Sequence, residues 1–130
     1  MLLFGHRFIT QHPFYHINDI DSIRKTPPSS ALYIEFSENM LELIQHCRLN
    51  GINFALSVAS IKESVYASAL EADYIVVSEK LAKSVQNIAN NYLFDAKVLV
   101  KIEEEEQIEE MALLGVDGVI FGSAILHVNT

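Results

Sequence analysis

Short apolar runs alternate with amphipathic stretches from residue 31 onwards, and this pattern indicates the class of fold. Five runs predict strands, at residues 31–36, 52–58, 74–77, 98–100 and 116–121. The runs are apolar throughout instead of alternating, which is typical of strands that are buried on both faces and paired in parallel. The sequence therefore predicts an α/β protein built from consecutive β-α units.

The stretches between these runs carry apolar residues at helical spacing. The predicted buried positions are Met40, Leu43, Ile44 and Cys47 in the first helix, Ile61, Val65 and Ala69 in the second, Leu81, Val85, Ile88 and Tyr92 in the third, and Ile108, Met111 and Ala112 in the fourth. Gly51 is expected to end the first helix. Ser60 and Glu63 have the spacing of a capping box, and Ser78 is a predicted N-cap.

The first thirty residues follow a less regular pattern. Residues 2–4 and 7–9 predict a strand, and residues 14–17 either pair back as a hairpin or extend it. Asn18 and Asp21 have N-cap spacing for a short helix, and the Pro-containing connector at 26–30 ends that helix. This segment forms either one more β-α unit or an arm that covers a sheet edge or a partner chain.

The length of 130 residues predicts one α/β domain over 1–130, with an N-terminal part at 1–30 and β-α repeats at 31–130. A complete (β/α)8 barrel needs about 200 residues or more. The expected architecture is a parallel sheet of five or six strands, either a partial barrel or an open three-layer sheet. A curved half-barrel exposes strand edges that proteins usually cover, so we expect a homo-oligomer, most simply a homodimer.

The net charge of −8 argues against nucleic acid and anionic membrane surfaces as partners. No apolar run approaches the roughly 18 residues of a membrane span, and the N-terminus does not resemble a signal peptide. Cys47 is the only cysteine and falls on a predicted apolar helical face, which indicates a buried thiol. These features favour a cytoplasmic protein, and no motif calls for a cofactor or a metal.

The C-terminal segment at 114–125 reads as a helix stop, a buried strand and a glycine turn into a new helix start. It resembles the last strand and phosphate-gripping turn of the phosphate-binding (β/α)8 barrels, such as the indole-glycerol-phosphate synthase and tryptophan-synthase α group. The resemblance implies a barrel-like fold and a phosphate site at Gly122, Ser123 and Ala124, whose backbone N–H groups would contact the anion. Those barrels usually carry two glycines after the preceding strand, where this chain has residues 101–104, two of them glutamates.

Ligands of parallel β-α proteins bind at the carboxyl ends of the strands. The polar or glycine residues that the pattern puts there are Ser37, Glu38, Ser57, Ser78, Glu79, Lys101, Glu103, Gly122 and Ser123. Lys101 allows two interpretations. It is a Schiff-base nucleophile if burial activates its amine, or it reaches the rim and pairs with Glu103 or Glu79.

Other clusters of ionisable residues have simpler interpretations. His6, His12 and His16 lie six and four residues apart, which matches no zinc signature and favours separate roles. Arg7 is a candidate partner for a carboxylate. The four glutamates at 103–106 suit the positive end of a helix, with an acidic metal cluster as the alternative.

Three functional hypotheses follow from the sequence. The first is a small cytoplasmic protein that binds a phosphorylated or anionic metabolite through Gly122, Ser123 and Lys101. The second is a non-catalytic interaction or scaffold protein that acts as a homo-oligomer. The third is a lyase or aldolase that uses Lys101. His127 falls in a tail that we expect to be disordered.

Overall fold

A computed structural model describes residues 1–128 of the chain. The strands are β1 (Leu2–Phe4), β2 (Phe14–His16), β3 (Ala31–Glu35), β4 (Phe54–Ser57), β5 (Tyr74–Val77), β6 (Lys97–Ile102), β7 (Gly118–Phe121) and β8 (Ile125–His127). The helices are α1 (Leu41–Leu49), α2 (Ile61–Ala69), α3 (Glu79–Asn91) and α4 (Glu106–Leu114), with short 3-10 turns at Asp21–Lys25, Glu38–Met40 and Gly122–Ala124. Within these residues no helix combines the length and the apolar character that a membrane crossing requires.

All eight strands form one parallel sheet in the order β1-β7-β6-β5-β4-β3-β2-β8. The α/β class and the parallel pairing are confirmed, but the predicted count of five or six strands is wrong. The predicted strand at residues 2–4 is confirmed as β1, and β2 falls within the segment at residues 14–17 that was expected to pair back or extend. The sequence did not indicate β8, which has only three residues.

The sheet curves into a half-barrel-like shell. Phe4 of β1 and Phe14 of β2 lie near opposite ends of the strand order, yet their ring centroids are 5.0 Å apart. Both rings also meet Tyr74 of β5, at 5.7 and 5.2 Å. Such contacts across the concave face require strong curvature, so the curved alternative is the one that this chain adopts and the open three-layer sheet is not.

Two apolar clusters hold the shell together. The inner core fills the concave face and consists of Phe4, Phe14, Tyr33, Ala55, Val76, Leu99, Ile120, Ala124 and Ile125. The outer core lies between the sheet and the helices and includes Ile34, Ile44, Leu56, Ile75, Val85, Val98 and Met111. Burial on both faces explains why the central strands are apolar throughout.

Two aspartates brace the amino ends of the central strands. The Oδ2 of Asp73, just before β5, accepts a hydrogen bond from the backbone N–H of Phe54 at 2.8 Å. The Oδ2 of Asp117, just before β7, accepts one from Val98 at 2.9 Å. The buried Gln86 side chain in turn accepts the backbone N–H of Asp117 at 2.9 Å. The β4-α2-β5 and β6-α4-β7 units therefore share one bracing device.

Gly118 allows β1 to join the sheet. It pairs with Leu2, and a Cβ at this position would lie 2.7 Å from both the Cβ and the backbone oxygen of Leu2. No side chain fits that gap. Glycine is therefore required at the start of β7 for the close approach of the two strands.

The predicted buried face of α2 is wrong. Ser64 and Ala67 face the sheet, whereas Ile61, Val65 and Ala69 point outwards. Small residues let this short helix lie close to the strands, and the Ser64 hydroxyl is satisfied by donating to the carbonyl of Ile61 at 2.6 Å. Tight packing by small side chains thus outweighed the burial of larger ones.

The other helices agree better with the pattern. In α1, Leu43, Ile44 and Cys47 are buried as predicted, and the helix ends before Gly51. In α3, Val85 is buried, but Tyr92 is 76% exposed because the helix ends one residue earlier. The remaining buried positions of α3 are the small or polar Ala82, Gln86 and Ala89. In α4, Met111 is buried but Ala112 is exposed, so that part of the predicted face is wrong.

The predicted caps are partly confirmed. The Ser60 hydroxyl accepts the backbone N–H of Glu63 at 3.1 Å, but the Glu63 carboxylate accepts from Ala59 at 2.9 Å and not from Ser60. Ser78 occupies the N-cap position of α3, but its side chain makes no capping hydrogen bond. Ile20, and not Asn18, occupies the N-cap position of the first 3-10 turn, and its side chain makes no capping hydrogen bond. The Asp19 carboxylate accepts the backbone N–H of Ser22 inside the turn at 2.8 Å.

The chain termini differ from several expectations. Residues 7–9 form no strand, and β2 runs parallel to β3 and β8, so the hairpin alternative is wrong. His127 belongs to β8 and pairs with His16, so it is not part of a disordered tail. The glycine turn leads through one 3-10 turn into β8, not into a new α-helix.

Candidate functional site

The carboxyl ends of the strands meet at one rim of the curved sheet, and polar side chains gather there. Six inner-core residues are Phe14, Tyr33, Ala55, Val76, Leu99 and Ile125; the residues two positions later are His16, Glu35, Ser57, Ser78, Lys101 and His127. Side chains two apart on a strand point to the same face. The concave face therefore has an apolar floor and a polar rim, which we call the mouth.

A cavity of about 470 Å³ opens at the mouth. Its polar lining consists of Tyr33, Glu35, Ser57, Ser78, Lys101 and Glu103. Pockets that bind small molecules usually measure about 300–1,000 Å³ and combine apolar walls with a few polar groups. A second cavity of about 420 Å³ lies near the connector at 26–30, and no charged side chain lines it. The mouth is therefore the better candidate site.

His16 lies at one side of the mouth between two rings. Its ring centroid is 5.2 Å from that of Tyr33 and 5.0 Å from that of His127. Burial lowers the pKa of His16, nearby His127 and Lys101 act in the same direction, and the charge of Glu35 opposes them. Its Nε2 is buried and makes no hydrogen bond within residues 1–128.

Tyr33 and Ser57 form a neutral hydrogen-bonding pair in the mouth. Burial raises the pKa of Tyr33, and a hydrogen bond with Ser57 partly offsets that shift. The phenol therefore keeps its proton at neutral pH and offers a hydroxyl to a ligand. The negatively charged Glu35, on the same strand, also raises this pKa.

Lys101 reaches the mouth from β6 and is exposed to solvent. Within residues 1–128 its ammonium group has no carboxylate oxygen within 4.0 Å, so the predicted pairing with Glu103 or Glu79 is wrong. Glu79 instead accepts a hydrogen bond from the side chain of Gln107. Lys101 therefore presents a cation to the cavity, and this cation forms no ion pair with residues 1–128.

The Gly122-Ser123-Ala124 turn is a 3-10 turn that links β7 to β8. Ala124 is buried in the inner core and Ser123 is exposed. A Cβ at Gly122 would lie 3.4 Å from the nearer carboxylate oxygen of Glu103. A carboxylate this close opposes phosphate binding at the turn, as the glutamates in the sequence indicate.

The N-terminal histidines have separate surroundings. His6 Nε2 lies 3.0 Å from a carboxylate oxygen of Glu105, and Arg7 also pairs with that carboxylate, as predicted for Arg7. His12 lies beside the connector at 26–30, and His16 lies in the mouth. Among the described residues, no three His, Cys, Asp or Glu side chains are grouped so that they could hold a metal ion.

Sequence reasoning found part of this site. It selected Lys101, Ser57 and Ser78 as strand-end residues but gave no mouth role to Tyr33, Glu35, His16 or His127. The available signal was the two-residue spacing between an inner-core residue and a polar one on each strand. That signal is weak in β2 and β8, because each of these strands has only three residues.

Neither protein-family models nor curated protein sequences gave a match to this chain. The geometry of the mouth is therefore the basis for a functional proposal.

Proposed function

We propose that this protein binds a small phosphorylated or otherwise anionic metabolite at the mouth, with Lys101 as its charged contact. The observation that carries the proposal is an exposed lysine in a cavity of about 470 Å³ that forms no ion pair with any residue from 1 to 128. The hydroxyls of Tyr33, Ser57 and Ser78 line the same cavity and supply hydrogen bonds to the rest of the ligand.

The two carboxylates of the cavity restrict where the anion binds. Glu103 lies beside the Gly122 turn. The charges of Glu35 and Lys101 both act on His16, where Glu35 raises the pKa of the imidazole and Lys101 lowers it. An anion in the cavity is therefore best accommodated beside Lys101, away from Glu35 and Glu103. The hydroxyl-bearing part of the ligand then faces Glu103 and Ser78.

A thermal-shift screen of phosphate and phosphorylated metabolites tests the proposal. We expect a stabilising ligand whose effect is lost in Lys101→Met and kept in Lys97→Met, which removes an exposed lysine from the other end of the same strand. Stabilisation that survives Lys101→Met, or no stabilisation by any compound, would contradict it.

The turn at Gly122, Ser123 and Ala124 is the alternative anion site from the sequence, and one variant separates the two. Gly122→Ala adds a methyl group in ordinary contact with Glu103, so the protein should fold. It blocks the close approach of an anion to the backbone. Loss of binding in Gly122→Ala with retention in Lys101→Met would favour the turn.

A second candidate function is self-association as a non-catalytic interaction protein. The supporting observation is the α2 patch, formed by Ile61, Val65 and Tyr66, which are 40%, 46% and 44% exposed. Tyr66 also contacts Phe36, with ring centroids 6.0 Å apart. Exposed apolar side chains on one helix favour a contact with a second copy that covers them.

Sedimentation over a wide concentration range tests the homodimer. We expect wild type to form a dimer and Val65→Glu to be a monomer. Lys62→Glu changes an exposed residue of the same helix and serves as the control. A wild-type monomer at every concentration would contradict the dimer without affecting the ligand proposal.

The Lys101 lyase hypothesis receives less support, because a nucleophilic amine is favoured by burial and Lys101 is exposed. Borohydride trapping with carbonyl compounds tests it, and an adduct on Lys101 would restore it. A cytoplasmic location remains part of the proposal, since a reducing compartment suits the lone buried thiol of Cys47.

A further inference from the structure

The cavity at the mouth carries more negative charge than a simple anion site requires. Its lining contains one cation, Lys101, and two carboxylates, Glu35 and Glu103, so the negative charges outnumber the positive one. Neither carboxylate forms an ion pair with any residue from 1 to 128. A ligand that is only an anion would pair with Lys101 and add to the repulsion from both carboxylates. The lining therefore favours a ligand that brings a positive group of its own.

The strand order separates Lys101 from one of these carboxylates. Lys101 belongs to β6 and Glu35 ends β3, and the strands β5 and β4 lie between them. Ser78, which follows β5, and Ser57, which ends β4, line the cavity between the two charges. Neighbouring strands are about 4.8 Å apart, so three steps amount to roughly 14 Å along the sheet, and curvature shortens the direct path. The cavity thus has a cationic end at β6 and an anionic end at β3.

Glu103 lies on the opposite side of Lys101 from Glu35. A Cβ at Gly122, which follows β7, would lie 3.4 and 3.5 Å from the two carboxylate oxygens of Glu103. Because β7 pairs with the edge of β6 that is opposite to β5, this carboxylate belongs to the β7 side of the cavity. The charge of Glu35 raises the pKa of Tyr33, so that carboxylate acts on a hydroxyl of the lining. A ligand that extends from Lys101 along the cavity therefore meets Glu35.

We propose that the ligand of the mouth is a small amphoteric molecule, with an oxoanion that contacts Lys101 and a primary ammonium group that contacts Glu35. This inference rests on the proposed function, since it adds a second charged contact to the same anion site. A primary amine is protonated at neutral pH, so each charge of the ligand meets a charge of opposite sign. The hydroxyls of Ser57 and Ser78 then contact the part of the ligand between its two charged groups.

This arrangement narrows the class of ligand. A phosphate, sulfonate or carboxylate group offers Lys101 an anionic oxygen for a charge-assisted hydrogen bond. Only a ligand that also carries an amine engages Glu35 with a second bond of this kind. An amine-free sugar phosphate or aliphatic acid leaves that carboxylate unpaired and is repelled by it. The ligand therefore belongs to the amino acids or the phosphorylated amines.

Calorimetry with matched pairs of compounds tests the inference on wild type alone. Each pair consists of an aminoalkyl phosphate with its amine at the chain end and the alkyl phosphate of the same length, from ethyl to hexyl. A second series compares amino acids that carry a terminal amine with the corresponding amine-free carboxylic acids. At the length that fits the cavity, we expect the amine-bearing compound to bind about three- to tenfold more tightly than its partner.

Three variants assign this preference to one carboxylate. Glu35→Gln keeps the shape of the side chain and removes its charge, so it should abolish the preference and bind the alkyl phosphate more tightly than wild type does. Glu103→Gln should strengthen the binding of both members of a pair and keep the preference. Glu110→Gln removes an exposed carboxylate of α4 that does not line the cavity, and serves as the control.

Equal affinities within every pair, or a preference that Glu35→Gln retains, would overturn this inference. Binding by amine-free anions alone would overturn it as well. In each of these cases, binding that Lys101→Met abolishes would leave the proposed function standing. If no phosphate, phosphorylated compound or carboxylate binds wild type, the proposed function fails and this inference fails with it.

Discussion

The carboxylate of Asp117 should be one of the strongest single contributors to stability outside the apolar cores. Asp117→Ala removes the acceptor of the Val98 backbone N–H, at the start of a strand whose side chain at that position is fully buried. A hydrogen bond to a charged group contributes about 1.5–3 kcal/mol. For a domain of this size about 1 kcal/mol corresponds to about 4 °C, so the melting temperature should fall by about 6–12 °C.

Three further variants make the reasoning specific. Asp117→Asn keeps an oxygen that can accept the same hydrogen bond, and should lose only about half as much stability, because a neutral bond is about half as strong as a charged one. Asp73→Ala removes the equivalent bond to Phe54 and should resemble Asp117→Ala. Glu109→Ala, on the exposed face of α4, should change stability by no more than about 0.5 kcal/mol.

Urea unfolding monitored by circular dichroism measures all four variants under two-state conditions. The bracing argument would be refuted if Asp117→Ala unfolded within about 0.5 kcal/mol of wild type. It would also be refuted if Asp117→Asn were as unstable as Asp117→Ala, since an oxygen acceptor at this position would then contribute nothing. A Gln86→Leu partner in a double-mutant cycle then measures the coupling through the Asp117 N–H.

Three other predictions concern the pairing of β1 with β7, the thiol of Cys47 and the imidazole of His16. Gly118→Ala should destabilise the protein by about 1–3 kcal/mol in urea unfolding, because the methyl group would overlap Leu2; a neutral effect would mean that β1 does not pair as described. Burial raises the pKa of Cys47 to about 11, so a thiol reagent should label it only as fast as the protein opens, and rapid labelling of folded protein would contradict its burial. Burial lowers the pKa of His16 in the folded protein, so on acidification the imidazole is protonated first in the unfolded chain. The free energy of unfolding should therefore be unaffected by His16 above about pH 6.5 and should fall as the pH drops below that value. His16→Gln should reduce this acid sensitivity in urea titrations at several pH values, and an unchanged pH dependence would show that His16 is not responsible.

The parts of the fold that the sequence predicts well are those with long, repeated signals. The central strands β3 to β7 are apolar runs bounded by helix ends such as Gly51 and Gly115, whose positive φ angles suit glycine. The strands near the termini carry a shorter signal: residues 2–4 and 14–17 indicate strand segments, but their partners lie in distant parts of the chain and cannot be read from a local pattern. Leu2, for example, pairs with Gly118.

The buried helix faces and the candidate site show what the hydrophobic periodicity of the sequence cannot predict. The α2 prediction failed because helical spacing identifies an apolar stripe but does not reveal whether small residues such as Ser64 and Ala67 will pack more closely. The rule that ligands bind at strand ends identified Lys101. That His16 and His127 lie near it depends on the curvature of the sheet and on the pairing of β8 with β2. Neither property is encoded within a short window of sequence.

The pairing of β1 with β7, and of β2 with β8, joins the first residues of the chain to the last described ones. Contacts between positions so far apart in sequence form slowly, because a long loop must close before they contribute. During synthesis the central β-α units can assemble first, and β2 can pair with β3 among them, while β1 waits for β7. The mouth receives His127 only when β8 joins the sheet, so a chain that lacks β8 would keep most of its layers and lose one side of the mouth.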